Sequence, residues 1–350
     1  MFEVNGHNVI IIVGVCFLAS LIFVKLSMII AKTYGIMDMP GVRRIHKKPM
    51  PRFGGFGIIL SFLLGYMLFA PKTTLMLSVL ISSFLISFIG MLDDMKTIPA
   101  KAKWIFQIII TSIIVFYGNL YIDEISVLGL NIYLGNSIVS KCLSIFILLA
   151  TTNAINLTDG MDGLCGGISS IYFATIAIIG MLLNDWGGMD VILSLIMLGA
   201  TLGFLFYNFP PAKTFMGDTG STFLGLIVGV IMLLGFKTVT LQSLVIPLLI
   251  LALPCLDTLF AIIRRLISRR PIFSADQNHI HHQLLKRLST KKSLLTIYSI
   301  DIIFSITSVF YALGHPKEMI VCYILLIFIV LFLIFKTNVI FENKKEKKKR

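Results

Sequence analysis

Carboxylate, carboxamide and imidazole side chains arrive in this chain in four short runs set between long apolar ones. Asp93 and Asp94 stand side by side, and adjacent carboxylates at a helix end can share a metal or hold one proton between them. The run NAINLTDGMDGL places Asn153, Asn156, Asp159 and Asp162 three residues apart, so on a continuous helix their oxygens would line one side. Gly160 and Gly163 would then loosen the helix end. Hard oxygen ligands of this kind suit Mg²⁺, which takes one or two carboxylates and completes its shell with phosphate oxygens and water. In FMGDTGS, Asp218 lies between Gly217 and Gly220 just before an apolar run; the backbone N–H groups of that helix start would suit a phosphate. The fourth run, HIHH, sets imidazoles at His279, His281 and His282. No cysteine lies near enough for a zinc site, and with Arg264 and Arg265 upstream the histidines suit phosphate or sugar hydroxyls better. Each run also has a plainer reading: a polar helix stop, a cap, or an interfacial loop.

The elements that must position these runs are membrane helices. Mean hydropathy is +0.94, and only 13% of residues are charged, against about 25% in soluble domains. Apolar stretches long enough to cross a bilayer fall at 9–32, 55–70, 74–92, 104–120, 138–155, 166–184, 190–208, 220–236, 241–263, 293–313 and 318–336. The expectation is an all-α polytopic protein of about eleven spans. Residues 1–336 form one integral membrane domain, and 337–350 a basic tail that contacts anionic lipid. Alternate loops, beginning with the one after the first span, carry 25 of the 30 Lys and Arg residues. Those loops are cytoplasmic by the positive-inside rule, which puts the N-terminus outside and the C-terminus inside. All four polar runs then fall on the cytoplasmic face, although they were not used to set the orientation. Charge confined in this way within an apolar chain points to function.

The net charge of +13 is therefore a topological signal, and no nucleic-acid motif accompanies it. The N-terminus lacks a basic leader and a cleavage site, so the first span reads as retained. Five scattered cysteines without a CxxC pair suggest neither disulfides nor a zinc ribbon. The first basic loop, RRIHKKPMPRFGG, gathers six basic side chains, His46, Lys47 and Arg52 among them. It reads either as part of the orientation signal or as an anion-binding lip for a lipid head group. Asp257 lies two turns before Arg264 and could reach the inner site; Asp301 sits mid-span with no role that the sequence supplies.

Taken in order, PRFGG, Asp-Asp, NxxNxxDGxDGL, FMGDTGS and HIHH resemble the polyprenyl-phosphate N-acetylhexosamine-1-phosphate transferases over about residues 40–290. Eleven spans and the HIHH form are closer to the WecA/TagO branch than to MraY. The resemblance implies transfer of GlcNAc-1-phosphate from UDP-GlcNAc to undecaprenyl phosphate, with release of UMP. That would be the first membrane step of a cell-surface glycan pathway such as teichoic acid or O-antigen synthesis. The alternatives are an MraY-like phospho-MurNAc-pentapeptide transferase or a related UDP-HexNAc donor. By the resemblance, Asn156 and Asp218 are the Mg²⁺ ligands, with Mn²⁺ as a substitute. Asp93 and Asp94 handle the lipid phosphate. Asp159 and Asp162 match the DGxDG carboxylates, Asp162 near the base, and Phe215 stacks on uracil. His279 lies near the pyrophosphate with His281 and His282 beside it. The catalytic set is then Asp93, Asp94, Asp159 and His279, and the basic residues His46, Lys47, Arg52, Arg264 and Arg265 are expected to bind substrate. Gln277 departs from the family, which often has a basic residue there. The expected setting is the bacterial plasma membrane, with membrane lipids as neighbours, no nucleic acid, and a homodimer left open.

Two other classes fit less well. A secondary transporter would place its acids near mid-bilayer in related halves, whereas here they crowd the span ends. A CDP-alcohol phosphotransferase would need Ala-Arg soon after Asp-Gly, and Met161-Asp162 stands there instead.

Overall fold

The computed structural model describes residues 3–39, 49–127, 130–183, 187–237, 250–267 and 279–336. They fall into two compact units, Met1–Val245 and Ile246–Arg350.

In the first unit every apolar run becomes a helix: α1 Val9–Tyr34, α2 Gly54–Phe69, α3 Thr74–Met95, α4 Ala100–Ser112, α5 Ile138–Thr158, α6 Leu164–Leu182, α7 Met189–Asn208 and α8 Gly217–Lys237. A polar cap sets several starts. Asn8, Thr73 and Ser137 accept from the N–H of Ile10, Met76 and Ser140 respectively, satisfying donors that a helix start leaves open. α1 stops at Gly35, whose φ of 72° is cheap only for glycine. α4 runs on through a π-turn at Ile113–Tyr117.

Burial shows which helix is central. The apolar core of α8 is 94% buried, against 28% for α1. α1 instead exposes Ile10, Ile11, Leu18, Ile22, Leu26 and Ile29, an apolar face suited to lipid. Lipid tails are as apolar as leucine, so helices in a bilayer are drawn together by close packing and hydrogen bonds. Small residues supply both here. A Cβ on Gly57 would meet the backbone of Val24, and on Gly203 the side chain of Ser20. Ser20 donates to the carbonyl of Ala200 at 2.7 Å, and Ser61 to that of Cys16 at 2.6 Å. α8 is gripped in the same way, with Gly225 against Thr152 and Gly229 against Thr151 of α5.

The second unit contains α9 Ala252–Ile267, the short α10 Ile280–Leu285, α11 Thr290–Ala312 and α12 Pro316–Lys336. Tyr323 of α12 donates to Ser308 of α11 at 3.0 Å. Asp301 is buried within α11, and both of its carboxylate oxygens lack a partner among the described residues.

Among the described residues, eight helices are long and apolar enough to cross a membrane, and two shorter apolar ones are Gly54–Phe69 and Glu318–Phe332. The chain is thus a helical, multi-pass membrane protein. The only strands described are three two-stranded hairpins. The expected second span is confirmed as a helix but is only 16 residues long. The expected span at 241–263 falls partly outside the described residues, which resume with α9.

Candidate active site

One end of the first unit collects the polar residues. It is built from the ends of α3 and α5, the starts of α2, α4 and α8, and a small hairpin that pairs Met37–Asp38 with Met50–Pro51. The hairpin delivers Arg52 to the α2 start, and the next few residues bind it to the FMGD segment. Phe215 donates its N–H to the carbonyl of Pro51, while Gly54 and Gly55 donate to the carbonyls of Phe215 and Met216. A Cβ on Gly55 would collide with the backbone of Gly220, so glycine is required there for contact.

Arg52 is the hub. Its Nε lies 3.1 Å from Asp94, Nη2 3.0 Å from Asp218 and Nη1 3.9 Å from Asp38. Burial works to lower the guanidinium's pKa, but Asp94, Asp218, Asp38 and Asp159 outweigh it and raise the pKa further. Lys103, in the first turn of α4, is the second cation: its Nζ is 3.0 Å from Asp93 and pairs closely with Asp218. Asp218 is therefore held from both sides, by Arg52 on one oxygen and Lys103 on the other.

The adjacent carboxylates part company. Successive residues on a helix point about 100° apart, so Asp93 turns to Lys103 and to the N–H of Ile98, at 2.6 Å. Asp94, whose side chain is fully buried, turns to the start of α8. There it accepts from the N–H of Asp218 and of Thr219, both at 2.9 Å, and from the Thr219 hydroxyl at 2.7 Å. Gly217 makes room for this, with a φ of 71° and a Cβ position that the Asp94 carboxylate would occupy. Two expectations are corrected here. Asp93 and Asp94 do not form a proton-sharing pair. The first N–H groups of α8 are not open to a phosphate, because a carboxylate from another helix already caps them.

The NxxNxxDGxDG run is also bent from its expected form. α5 ends at Thr158 with Asp159 as its cap, so the four polar residues do not line one helix face. Asn153 donates to Gln107 at 3.0 Å, and Asn156 donates to Ser221 at 2.8 Å. Ser221 in turn donates to the carbonyl of Gly217, which commits the Asn156 nitrogen and leaves its oxygen for another partner. Asp162 accepts from the N–H of Ala212 at 3.1 Å. Asn208 ties the two loops together, accepting from Gly163 at 2.9 Å and donating to Thr214 at 2.8 Å.

Asp159 donates its backbone N–H to the carbonyl of Asn156 at 3.2 Å, but its carboxylate makes no hydrogen bond among the described residues. Burial, then the negative charge of Asp218 with Arg52 opposing, pushes its carboxyl up to about 7. Between the ordinary carboxylate value and about 7, the folded chain keeps a proton that the unfolded chain gives up, so this group favours folding on the acid side and loses that contribution as pH rises through 7. The melting temperature of the solubilised wild type should therefore fall more steeply between pH 5 and 8 than that of Asp159→Asn. Parallel curves would contradict this placement of Asp159.

In the second unit, His279 and His281 are buried, and His279 Nδ1 lies 3.0 Å from Asp257. Arg264 and Arg265 are buried in the last turn of α9, and His282 packs on His281. His46 and Lys47 lie outside the described residues. The structure thus brings together Arg52, Asp93, Asp94, Asn156, Asp159 and Asp218, with Phe215 and Asp162 on the flanking loops. The pairing of Lys103 with Asp93 and Asp218 was not read from the sequence, and neither were the roles of Asn208 and Gln107. Lys103 follows Asp93 across a helix break, so no local pattern marks the pairing, and nothing in the sequence around Asn208 signals its role.

Residues 76–236 match the family model described as glycosyl transferase family 4. The chain is 41% identical over 312 residues to the probable undecaprenyl-phosphate N-acetylglucosaminyl 1-phosphate transferase of Bacillus subtilis (strain 168), covering 88% of this chain and 86% of that protein. It is 32% identical to the decaprenyl-phosphate N-acetylglucosaminephosphotransferase of Mycolicibacterium smegmatis, over 77% of this chain and 74% of that one. It is also 30% identical to the undecaprenyl-phosphate alpha-N-acetylglucosaminyl 1-phosphate transferase of Escherichia coli (strain K12), over 81% and 78% respectively.

Proposed function

The chain belongs to glycosyl transferase family 4, within the polyprenyl-phosphate N-acetylhexosamine-1-phosphate transferases, and we propose that it carries GlcNAc-1-phosphate from UDP-GlcNAc to undecaprenyl phosphate. The products are UMP and undecaprenyl-pyrophosphoryl-GlcNAc. The observation that carries this reading at the site is the cluster of Arg52, Lys103, Asp93, Asp94, Asp159 and Asp218 at the helix ends of one bundle. A lipid phosphate stays in the bilayer and a sugar nucleotide stays in water, so a reaction joining them needs charged groups where helices end.

Two-cation chemistry suits both substrates. The Arg52 fork and the Lys103 ammonium can each take a phosphate oxygen, orienting the acceptor phosphate in line with the β-phosphorus of the donor. Positioning and charge stabilisation are most of what phosphoryl transfer requires. The acceptor phosphate loses its second proton near pH ~6, so a carboxylate base at Asp93 helps without being essential. We prefer single displacement to an aspartyl-phosphate route. Asp94, spent on capping α8, acts by holding Asp218 in place.

The donor set suits Mg²⁺, with Mn²⁺ as a substitute. Asn156 has its nitrogen committed to Ser221, and Asp218 offers two oxygens now held by cations. Among the described residues no group of three or more His, Cys, Asp or Glu side chains forms a metal cage; a Mg²⁺ site needs only one or two carboxylates when substrate phosphates and water complete it. Bound there, the ion would offset the charge of the donor pyrophosphate. The histidine segment, with His279 foremost and Arg264 and Arg265 upstream, supplies further contacts to the pyrophosphate and sugar.

The setting is the bacterial plasma membrane, crossed eleven times with the N-terminus outside and this cluster facing the cytoplasm. In a cysteine-free background, Lys96→Cys beside Asp94 should react with an impermeant thiol reagent only in inverted vesicles, and Asn136→Cys before α5 only in intact cells. The opposite pattern would reverse the orientation. The donor is tested with purified protein, Mg²⁺, undecaprenyl phosphate and a panel of sugar nucleotides, read by UMP release and by the mass of the lipid product. UDP-GlcNAc should be turned over fastest; preference for UDP-MurNAc-pentapeptide would replace this reading.

A further inference from the structure

Asp257 spends both of its carboxylate oxygens on the histidine segment. It sits in the second turn of α9, and its Oδ1 accepts from the backbone N–H of Ile280 at 2.9 Å. Its Oδ2 lies 3.0 Å from His279 Nδ1. The next imidazole, His281, stays 3.9 Å from the same oxygen, beyond hydrogen-bond range. His281 stacks on His279 with centroids 5.6 Å apart, and burial, reinforced by His282 and opposed by Asp257, drops its pKa to about 3. It is a neutral neighbour. His279, in extended backbone before α10 (φ −63°, ψ 154°), makes no side-chain cap bond of its own, so its ring is placed by Asp257.

An ionised carboxylate only accepts hydrogen bonds, and a neutral imidazole carries its proton on one nitrogen. The proton of His279 must then lie on Nδ1, and Nε2 is the edge without a hydrogen-bond partner among the described residues. We propose that Asp257 is a positioning residue that fixes this tautomer and ring orientation, so that His279 meets the phosphate-bearing substrate through Nε2. The inference rests on the reading of the histidine segment as part of the transferase site. It gives a specific task to an acid that the sequence placed only within reach of the inner site.

The isosteric variant Asp257→Asn separates positioning from simple capping. Its Oδ1 can still accept from Ile280, which forces the Nδ2 group towards His279. Flipping the amide would set a donor against the Ile280 N–H. With a donor facing it, Nδ1 must become an acceptor, and the proton moves to Nε2.

The test uses the full chain, labelled with ¹⁵N-histidine, in lipid nanodiscs at pH 8, with the His279 signal assigned by its loss in His279→Gln. The wild type should show Nδ1–H and Asp257→Asn should show Nε2–H. In turnover of UDP-GlcNAc, Asp257→Asn should lower kcat by about 10²- to 10⁴-fold, up to the ~10⁴-fold that a wrong-tautomer histidine costs in a catalytic triad, with KM changed less than about threefold. The double variant with His279→Gln should be no slower than His279→Gln alone. An Nε2–H signal in the wild type overturns the proposal even if the variant fails to fold, and so does an unchanged tautomer in Asp257→Asn or a further loss in the double variant. Full activity of His279→Gln would instead overturn the functional reading of the segment, which the wild-type spectrum does not touch.

Discussion

Asp218→Ala should lower UMP release from UDP-GlcNAc by about 10³-fold or more, the scale of removing a charge that acts on the transition state, while the protein stays folded. Asp218 is the carboxylate on which the site converges, shared between Arg52 and Lys103 and proposed as a Mg²⁺ ligand. Its loss strands neither cation, since Arg52 keeps Asp94 and Lys103 keeps Asp93. Its backbone N–H stays bonded to Asp94, so the start of α8 is preserved. The expected variant is stable and inactive, with a monodisperse profile and a melting temperature close to the wild type. Turnover within tenfold of the wild type would remove Asp218 from the chemistry.

Asp94→Ala should fail differently, by losing the site's framework. The side chain is buried and satisfies three donors at the start of α8 besides one edge of Arg52. Each buried donor left without a partner costs about 1–3 kcal/mol, and breaking a buried ion pair about 3–5 kcal/mol. Such losses compare with the whole stability of a domain, about 5–15 kcal/mol. Removing Asp94 should therefore lower the melting temperature sharply and abolish turnover together. Asp94→Asn, which keeps one acceptor oxygen, should fall between. An Asp94→Ala protein that melts like the wild type but is inactive would move Asp94 from framework to chemistry.

The two residues differ in how far their roles could be read from sequence. Helix positions were legible because bilayer thickness fixes the length of an apolar run, and α1, α3, α5, α7 and α8 lie close to where those runs predict. The meeting of Arg52, Asp94, Asp159 and Asp218 at one end was also legible, since alternate crossings return those ends to one side. Direction was not. Asp93 and Asp94 separate because each helix residue turns by a fixed angle, and only the arrival of α8 decides that Asp94 caps it. The start of α8 looked open to a phosphate for the same reason: its partner is 124 residues away in the chain. Lys103 and Asn208 act through contacts across helix breaks, which no local spacing encodes.

Sugar and phosphate move together in this reaction. UDP-GlcNAc carrying ³²P in the β position, incubated with the purified chain, Mg²⁺ and undecaprenyl phosphate, follows that phosphorus directly. The label should pass into the lipid fraction as a pyrophosphate-linked product while unlabelled UMP is released. Label that stays with the nucleotide as UDP, while GlcNAc enters the lipid, would mean that sugar alone is transferred and would contradict the account.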